Sequence, residues 1–225
     1  MFVKICGITN EDDALIAVAM GADAVGFVFA PSPRQLSPTK ASDIAKRLPK
    51  ETRTVGVFRN ESKERVVRTV AESGLSCAQL HGHETPEECL WVAERVPMMI
   101  KGFAMGDTST PNLRGYGTKY ILLDAPAPGA GQVFDWSLAE NAPRDYRVIM
   151  AGGLTPENVS VAIRKVQPWG VDVSTGVELS PGKKDPTLIK RFVDAARNSA
   201  QVMEEEAVAA RGGEDEEMPY DWEVE

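Results

Sequence analysis

Cys6, His81, Asp124 and Asp172 are placed to move or hold a proton, because each stands at or near the carboxyl end of a short apolar run: Val3-Lys4-Ile5-Cys6, Ala78-Gln79-Leu80-His81, Ile121-Leu122-Leu123-Asp124 and Gly170-Val171-Asp172. In parallel α/β folds the carboxyl ends of the strands open onto one face, where the following loops complete a pocket. Four such runs bring a thiol, an imidazole and two carboxylates to one place, a set suited to general acid–base chemistry. Two further loops point to an anion. Ala151-Gly152-Gly153-Leu154 follows the seventh strand candidate and Ser174-Thr175-Gly176-Val177-Glu178 the eighth, the positions at which barrels commonly seat a phosphate. A Gly-Gly pair alone is more often a tight turn; taken with the second loop, it makes Gly152, Gly153, Ser174 and Thr175 candidate phosphate-binding residues.

Such a cluster needs a scaffold that brings strand ends into line. Strand candidates are Phe2 to Cys6, Ala24 to Phe29, Arg53 to Phe58, Cys77 to His81, Met98 to Phe103, Lys119 to Asp124, Arg147 to Ala151 and Trp169 to Val173. Between them, Ser37-Pro38, Thr85-Pro86, Thr155-Pro156 and Asp185-Pro186 each offer a capping oxygen followed by proline at the first helical position. Thr9 with Asp12, and Thr85 with Glu88, have the spacing of capping boxes. Helical faces are predicted at Leu15, Val18 and Ala19, at Val66, Val67 and Val70, and at Val159, Ala162, Ile163 and Val166. The stretch from Thr110 to Gly115 is too short and polar for a full helix. Eight strand–helix repeats in about 200 residues predict a single (β/α)8 TIM barrel near its minimum size. A doubly wound sheet is the rival architecture. Against it, Cys6-Gly7-Ile8-Thr9-Asn10 lacks the G-x-G-x-x-G pattern, and alternating polar residues such as Lys4 with Cys6 and Gln79 with His81 suit a barrel mouth.

Composition narrows the remaining classes. A chain of 225 residues, 43% hydrophobic and 26% charged, supports one sizeable core. With no uninterrupted apolar run of about 18 residues and no leader-like amino terminus, the expected location is cytoplasmic. Three cysteines without close pairing imply neither a disulfide framework nor a structural metal, and Cys77 and Cys89 read as core. Residues 204–225 carry ten acidic side chains against one arginine, so the net charge of -8 belongs to the tail and the remainder is nearly neutral. The expected organisation is a barrel over residues 1–200 and a disordered acidic tail over 201–225, with docking through Tyr220 and Trp222 as the alternative. No basic stripe suggests a nucleic-acid partner.

Lys4-Ile5-Cys6-Gly7, Ser32-Pro33-Arg34, Gln79-Leu80-His81-Gly82, Leu122-Leu123-Asp124, Phe134-Asp135-Trp136, Ala151-Gly152-Gly153-Leu154 and Val171-Asp172-Val173-Ser174-Thr175-Gly176-Val177-Glu178, in that order, resemble the phosphoribosylanthranilate isomerases of the third step of tryptophan biosynthesis. The acidic tail lies outside the resemblance. The resemblance implies an Amadori rearrangement of a small-molecule substrate, N-(5'-phosphoribosyl)anthranilate, without metal or organic cofactor; charge and hydropathy predict no nucleic-acid or membrane partner, and the chain is expected to be a monomer or homodimer. By the same resemblance Asp124 is the general acid and Cys6 the general base, while Arg34, His81 and Asp172 bind substrate. A planar guanidinium at Arg34 suits the anthranilate carboxylate and can stack on its ring.

Both catalytic groups start in the wrong protonation state. An ordinary thiol is only about 3% ionised at neutral pH, and an ordinary aspartate only about 0.1% protonated. Lys4, Lys101 or both are expected to favour the Cys6 thiolate, and Ala125-Pro126-Ala127-Pro128-Gly129-Ala130-Gly131-Gln132 is the candidate cover that desolvates Asp124. Each residue also has a plainer reading: Cys6 as core, Asp124 as a loop cap, His81 as a structural donor, Arg34 as a surface charge, Asp172 as the counter-ion of a lysine. Rival functions are the related sugar-phosphate isomerase of histidine biosynthesis, which carries an acid where Cys6 stands and two phosphate sites related by internal repeat, and a phosphate-binding barrel without catalysis.

Overall fold

The computed structural model describes residues 1–104, 113–124 and 145–212. Eight parallel strands close on themselves, β1 (Phe2–Ile5), β2 (Ala24–Val28), β3 (Arg53–Phe58), β4 (Cys77–Leu80), β5 (Met99–Ala104), β6 (Tyr120–Asp124), β7 (Arg147–Ala151) and β8 (Gly170–Val173), each bonded to the next and β8 to β1. This is the (β/α)8 barrel expected from the repeats, with every strand boundary within one residue of its sequence reading. β1 and β8 are buried at every position, as strands must be when helices cover them outside and side chains fill the barrel within.

The outer helices are α1 (Glu11–Ala19), α2 (Pro38–Ala45), α3 (Lys63–Ser73), α4 (Pro86–Ala93), α5 (Val159–Val166) and α6 (Pro186–Gly212). A 3-10 turn, Leu113–Tyr116, stands near the predicted short connection before β6, and a small hairpin, β9 (Glu178–Ser180) with β10 (Lys183–Lys184), follows β8. Ser37 and Thr85 cap their helices as expected, Thr85 with the full reciprocal bond to Glu88.

Three local expectations are corrected. Asn10, not Thr9, caps α1: its Oδ1 accepts from the Asp13 backbone at 2.8 Å, while Thr9 gives its hydroxyl to the carbonyl of Gly182. The helix accordingly buries Asp13, Ala14 and Ala17 and leaves Leu15 39% exposed, because small residues allow close approach to the sheet where the larger side chains suggested the core face. Thr155-Pro156 opens a turn instead of a helix. The Asn158 side chain accepts from Thr155 N and donates to Gly153 O, tying that turn to the loop after β7 and delaying α5 to Val159. Finally, α6 continues past the expected tail boundary at residue 200 as far as Gly212. Its helix is already anchored by buried Ile189, Phe192, Val193 and Ala196, Met203 packs on the same core, and Gln201 bonds Glu205 one turn on. Elongating an existing helix is far easier than starting one. Residues 213–225, with Tyr220 and Trp222, lie outside the described residues. Among the described residues no helix is long and apolar enough to cross a membrane.

Two variants separate the packed part of α6 from its extension. In urea unfolding, Phe192→Ala should cost about 3–5 kcal/mol, whereas ending the chain after Met203 should cost less than about 1 kcal/mol, since residues 204–209 are exposed. Equal losses would place the extension in the core.

Candidate active site

A cavity of about 250 Å³ opens at the carboxyl ends of the strands. Its wall includes eight of the nine site residues read from the sequence: Cys6, His81, Asp124, Gly152, Gly153, Asp172, Ser174 and Thr175. Arg34 is not on the wall. Its Nε and Nη2 form a two-pronged pair with the Glu178 carboxylate at 2.7 and 2.5 Å, and Lys184 Nζ holds the same carboxylate at 2.9 Å. Burial alone would raise the Glu178 pKa, but the two cations outweigh it and hold the group below the usual carboxylate range.

Cys6 sits at the end of β1 beside an internal ion pair. Lys4, fully buried two residues earlier, donates to Asp172 Oδ1 at 2.8 Å, and the two residues are strand partners across the β1–β8 seam. Burial opposes the Lys4 charge, yet Asp172 and Cys6 more than compensate and its pKa rises. For Cys6 the balance is reversed: burial pushes the thiol above its ordinary value, Lys4 pulls it down, and Asp172 pushes it up again, for a net rise. The expected help from Lys4 is therefore present but does not prevail. Lys101, the other expected helper, is committed elsewhere, donating to Glu84 Oε2 at 2.7 Å and to Gly82 O at 2.8 Å, and so bracing the loop after β4. Gly26 makes the Cys6 site possible, since a Cβ there would lie 2.8 Å from the Cys6 sulfur and 3.2 Å from Lys4 Nζ. A glycine inside a strand is a known sign of such close approach.

Across the cavity, His81 Nε2 stands 3.2 Å from Asp124 Oδ2, and His81 Nδ1 is 2.9 Å from the Gln79 amide nitrogen. The Asp124 side chain is 40% exposed at the rim. Its expected cover over residues 125–132, and the Phe134-Asp135-Trp136 motif, lie outside the described residues.

The two glycine-bearing loops touch backbone to backbone. A Cβ on Gly176 would lie 1.9 Å from the carbonyl oxygen of Leu154, so only glycine lets the loop after β8 close on the loop after β7. Asn158 braces one loop through Gly153 O and Lys184 the other through Ser174 O. Glu84, Asn158 and Lys184 were not anticipated as site residues. They support neighbours instead of facing the cavity, and no local spacing announces such a role.

Two measurements follow from this geometry. Because burial dominates at Cys6, alkylation by iodoacetamide should rise with pH with a midpoint above the free-thiol range, and Lys4→Met, which removes the cation favouring the thiolate, should slow it further at any pH between about 7 and 9. Cys77 and Cys89, both pushed up to about 12 by burial, should stay silent. Equal rates in the wild type and Lys4→Met would remove Lys4 from the account. Gly176→Ala should raise the Kd for inorganic phosphate at least about tenfold by forcing the two loops apart; unchanged binding in calorimetry would contradict the joint role of those loops.

The family model of N-(5'phosphoribosyl)anthranilate (PRA) isomerase matches residues 3–195. An N-(5'-phosphoribosyl)anthranilate isomerase of Desulforudis audaxviator is 48% identical over 204 residues, which are 88% of this chain and 98% of the relative. Among solved structures, a phosphoribosyl anthranilate isomerase in complex with reduced 1-(o-carboxyphenylamino)-1-deoxyribulose 5-phosphate is 43% identical, with a TM-score of 0.75 over 88% of this chain and 99% of its own. Monomers generated from the dimeric enzyme of Thermotoga maritima are 41% identical, with a TM-score of 0.75 over 88% of this chain and 98% of theirs. The matched span contains the whole cavity wall, and the chain belongs to the N-(5'-phosphoribosyl)anthranilate isomerase family.

Proposed function

We propose that Asp124 and Cys6 divide the acid–base work by which this enzyme, an isomerase of tryptophan biosynthesis, converts N-(5'-phosphoribosyl)anthranilate to 1-(2-carboxyphenylamino)-1-deoxyribulose 5-phosphate. The observation that carries the reading is that a thiol, a carboxyl group and two phosphate-loop candidates line one cavity large enough for a sugar phosphate. With the phosphate seated between the loops after β7 and β8, the sugar lies between Cys6 and Asp124. Asp124 protonates the ribose ring oxygen, and the C1'–O bond breaks to leave an open-chain iminium. The Cys6 thiolate then takes the proton from C2', whose electrons neutralise the iminium as the enolamine forms. Tautomerisation returns a proton to C1' and yields the ketone, so the overall change is an isomerisation.

The supporting residues follow from their partners. Asp172, with Oδ1 on Lys4, reads sugar hydroxyls through its second oxygen. Arg34, with Nε and Nη2 held by Glu178, offers Nη1 and the flat face of its guanidinium to the anthranilate group. Cys6 reaches its thiolate form through Lys4 as substrate enters. The dimeric Thermotoga relative supports assembly as a homodimer, with a monomer as the alternative, and a cytoplasmic location suits a biosynthetic isomerase of this family.

Turnover of phosphoribosylanthranilate tests the assignment. Asp124→Asn and Cys6→Ser should each lower kcat by about 10²–10⁴ with KM within a few-fold, as expected for removal of a general acid or base. Near-normal kcat in either variant would refute the role of that residue.

A further inference from the structure

We propose that Gln79 fixes the tautomer of His81 and, through it, places the acid proton of Asp124 on the carboxyl oxygen turned away from the imidazole and available to substrate. The inference rests on the reading of Asp124 as general acid. Gln79 lies on β4 two residues before His81, so both side chains fall on the same side of the strand. It is only 1% exposed, its Nε2 is 2.9 Å from His81 Nδ1, and its Oε1 is buried without a hydrogen-bond partner among the described residues.

The direction of that bond follows from counting donors and acceptors. As placed, one amide N–H donates to Nδ1, and the oxygen and the second N–H are left to share the shortfall. Turned over, the oxygen would accept from Nδ1 and both N–H groups would be left; an orphaned N–H is the rarer and costlier defect in a buried position, so the placed orientation is favoured. With Nδ1 accepting, the neutral imidazole carries its hydrogen on Nε2, which stands 3.2 Å from Asp124 Oδ2. Oδ2 is then an acceptor. A protonated carboxyl group has a single hydrogen, so the acid proton of Asp124 resides on Oδ1. The opposite tautomer would present a bare Nε2, draw that hydrogen onto Oδ2 and aim it at the imidazole. Gln79 and His81 act as positioning residues: neither gives a proton to substrate, and both decide which way Asp124 offers its own.

The test is ring-nitrogen NMR of His81 in the full-length, nitrogen-15-labelled protein, recorded as a pH series so that the neutral ring is identified from its own spectrum, together with steady-state kinetics. The wild-type ring should carry its hydrogen on Nε2. Gln79→Met keeps the volume without the donor, and Gln79→Glu keeps the shape but only accepts, drawing a hydrogen onto Nδ1. Each should lower kcat by about 10–100-fold, the usual effect of losing a partner that orients a functional group, with KM within about threefold. A wild-type ring protonated on Nδ1 alone would overturn the proposal, as would an unchanged kcat in Gln79→Glu once its ring had acquired hydrogen on Nδ1. An active Asp124→Asn variant would instead remove the acid reading, and the two failures are distinguishable because the wild-type ring spectrum does not depend on what Asp124 does in turnover.

Discussion

The ion pair between Lys4 and Asp172 joins the first strand of the barrel to the last, and it does so inside the protein, where neither charge would be stable alone. Lys4 is fully buried and Asp172 nearly so, at a separation of 2.8 Å. Removing one partner from a buried pair typically costs about 3–5 kcal/mol, because the other charge is left uncompensated. The same pair sets the conditions for chemistry. Cys6 follows Lys4 by two residues on the same face of β1, so the strand itself sets a cation beside a thiol that burial keeps protonated, while the closing of the barrel adds Asp172, which opposes ionisation. The thiol is thus held in its protonated form at rest.

Two other internal charge clusters serve the same end of the barrel. Lys101 and Glu84 tie β5 to the loop that carries His81, while Arg34, Glu178 and Lys184 tie the loop after β2 to the segment after β8. The opposite end is closed by packing, with Phe2 stacked on Trp169 at 4.5 Å and a separate apolar cluster around Val55, Ile100, Leu122 and Ile149. The division is the usual one for this architecture, stability at the amino ends of the strands and function at the carboxyl ends.

How much of this was legible in the sequence depended on the range of the interaction. The strands were readable because β-branched and apolar runs report burial directly, and the cavity residues because a thiol or carboxylate at a strand end has a topological meaning in a barrel. Caps were readable only to within a residue: Thr9 and Asn10 are both good caps, and Thr9 is taken out of the choice by the distant carbonyl of Gly182, which receives its hydroxyl. The partners of Arg34 and Lys101 were hidden for the same reason. Glu178 is far along the chain from Arg34, and no spacing rule links them. Gly26 looked like an ordinary glycine, and Gly176 like a member of a phosphate loop, until the atoms they make room for were in place.

A crystal structure of this protein with the reduced product analogue measures the central claim directly. The account predicts the phosphate between the Gly152-Gly153 and Ser174-Thr175 segments, the Cys6 sulfur against the C2' carbon, and an Asp124 oxygen against the former ring oxygen of the same sugar. An analogue bound with its phosphate away from both loops, or with the sulfur and the carboxylate on different ligand-free walls, would contradict it.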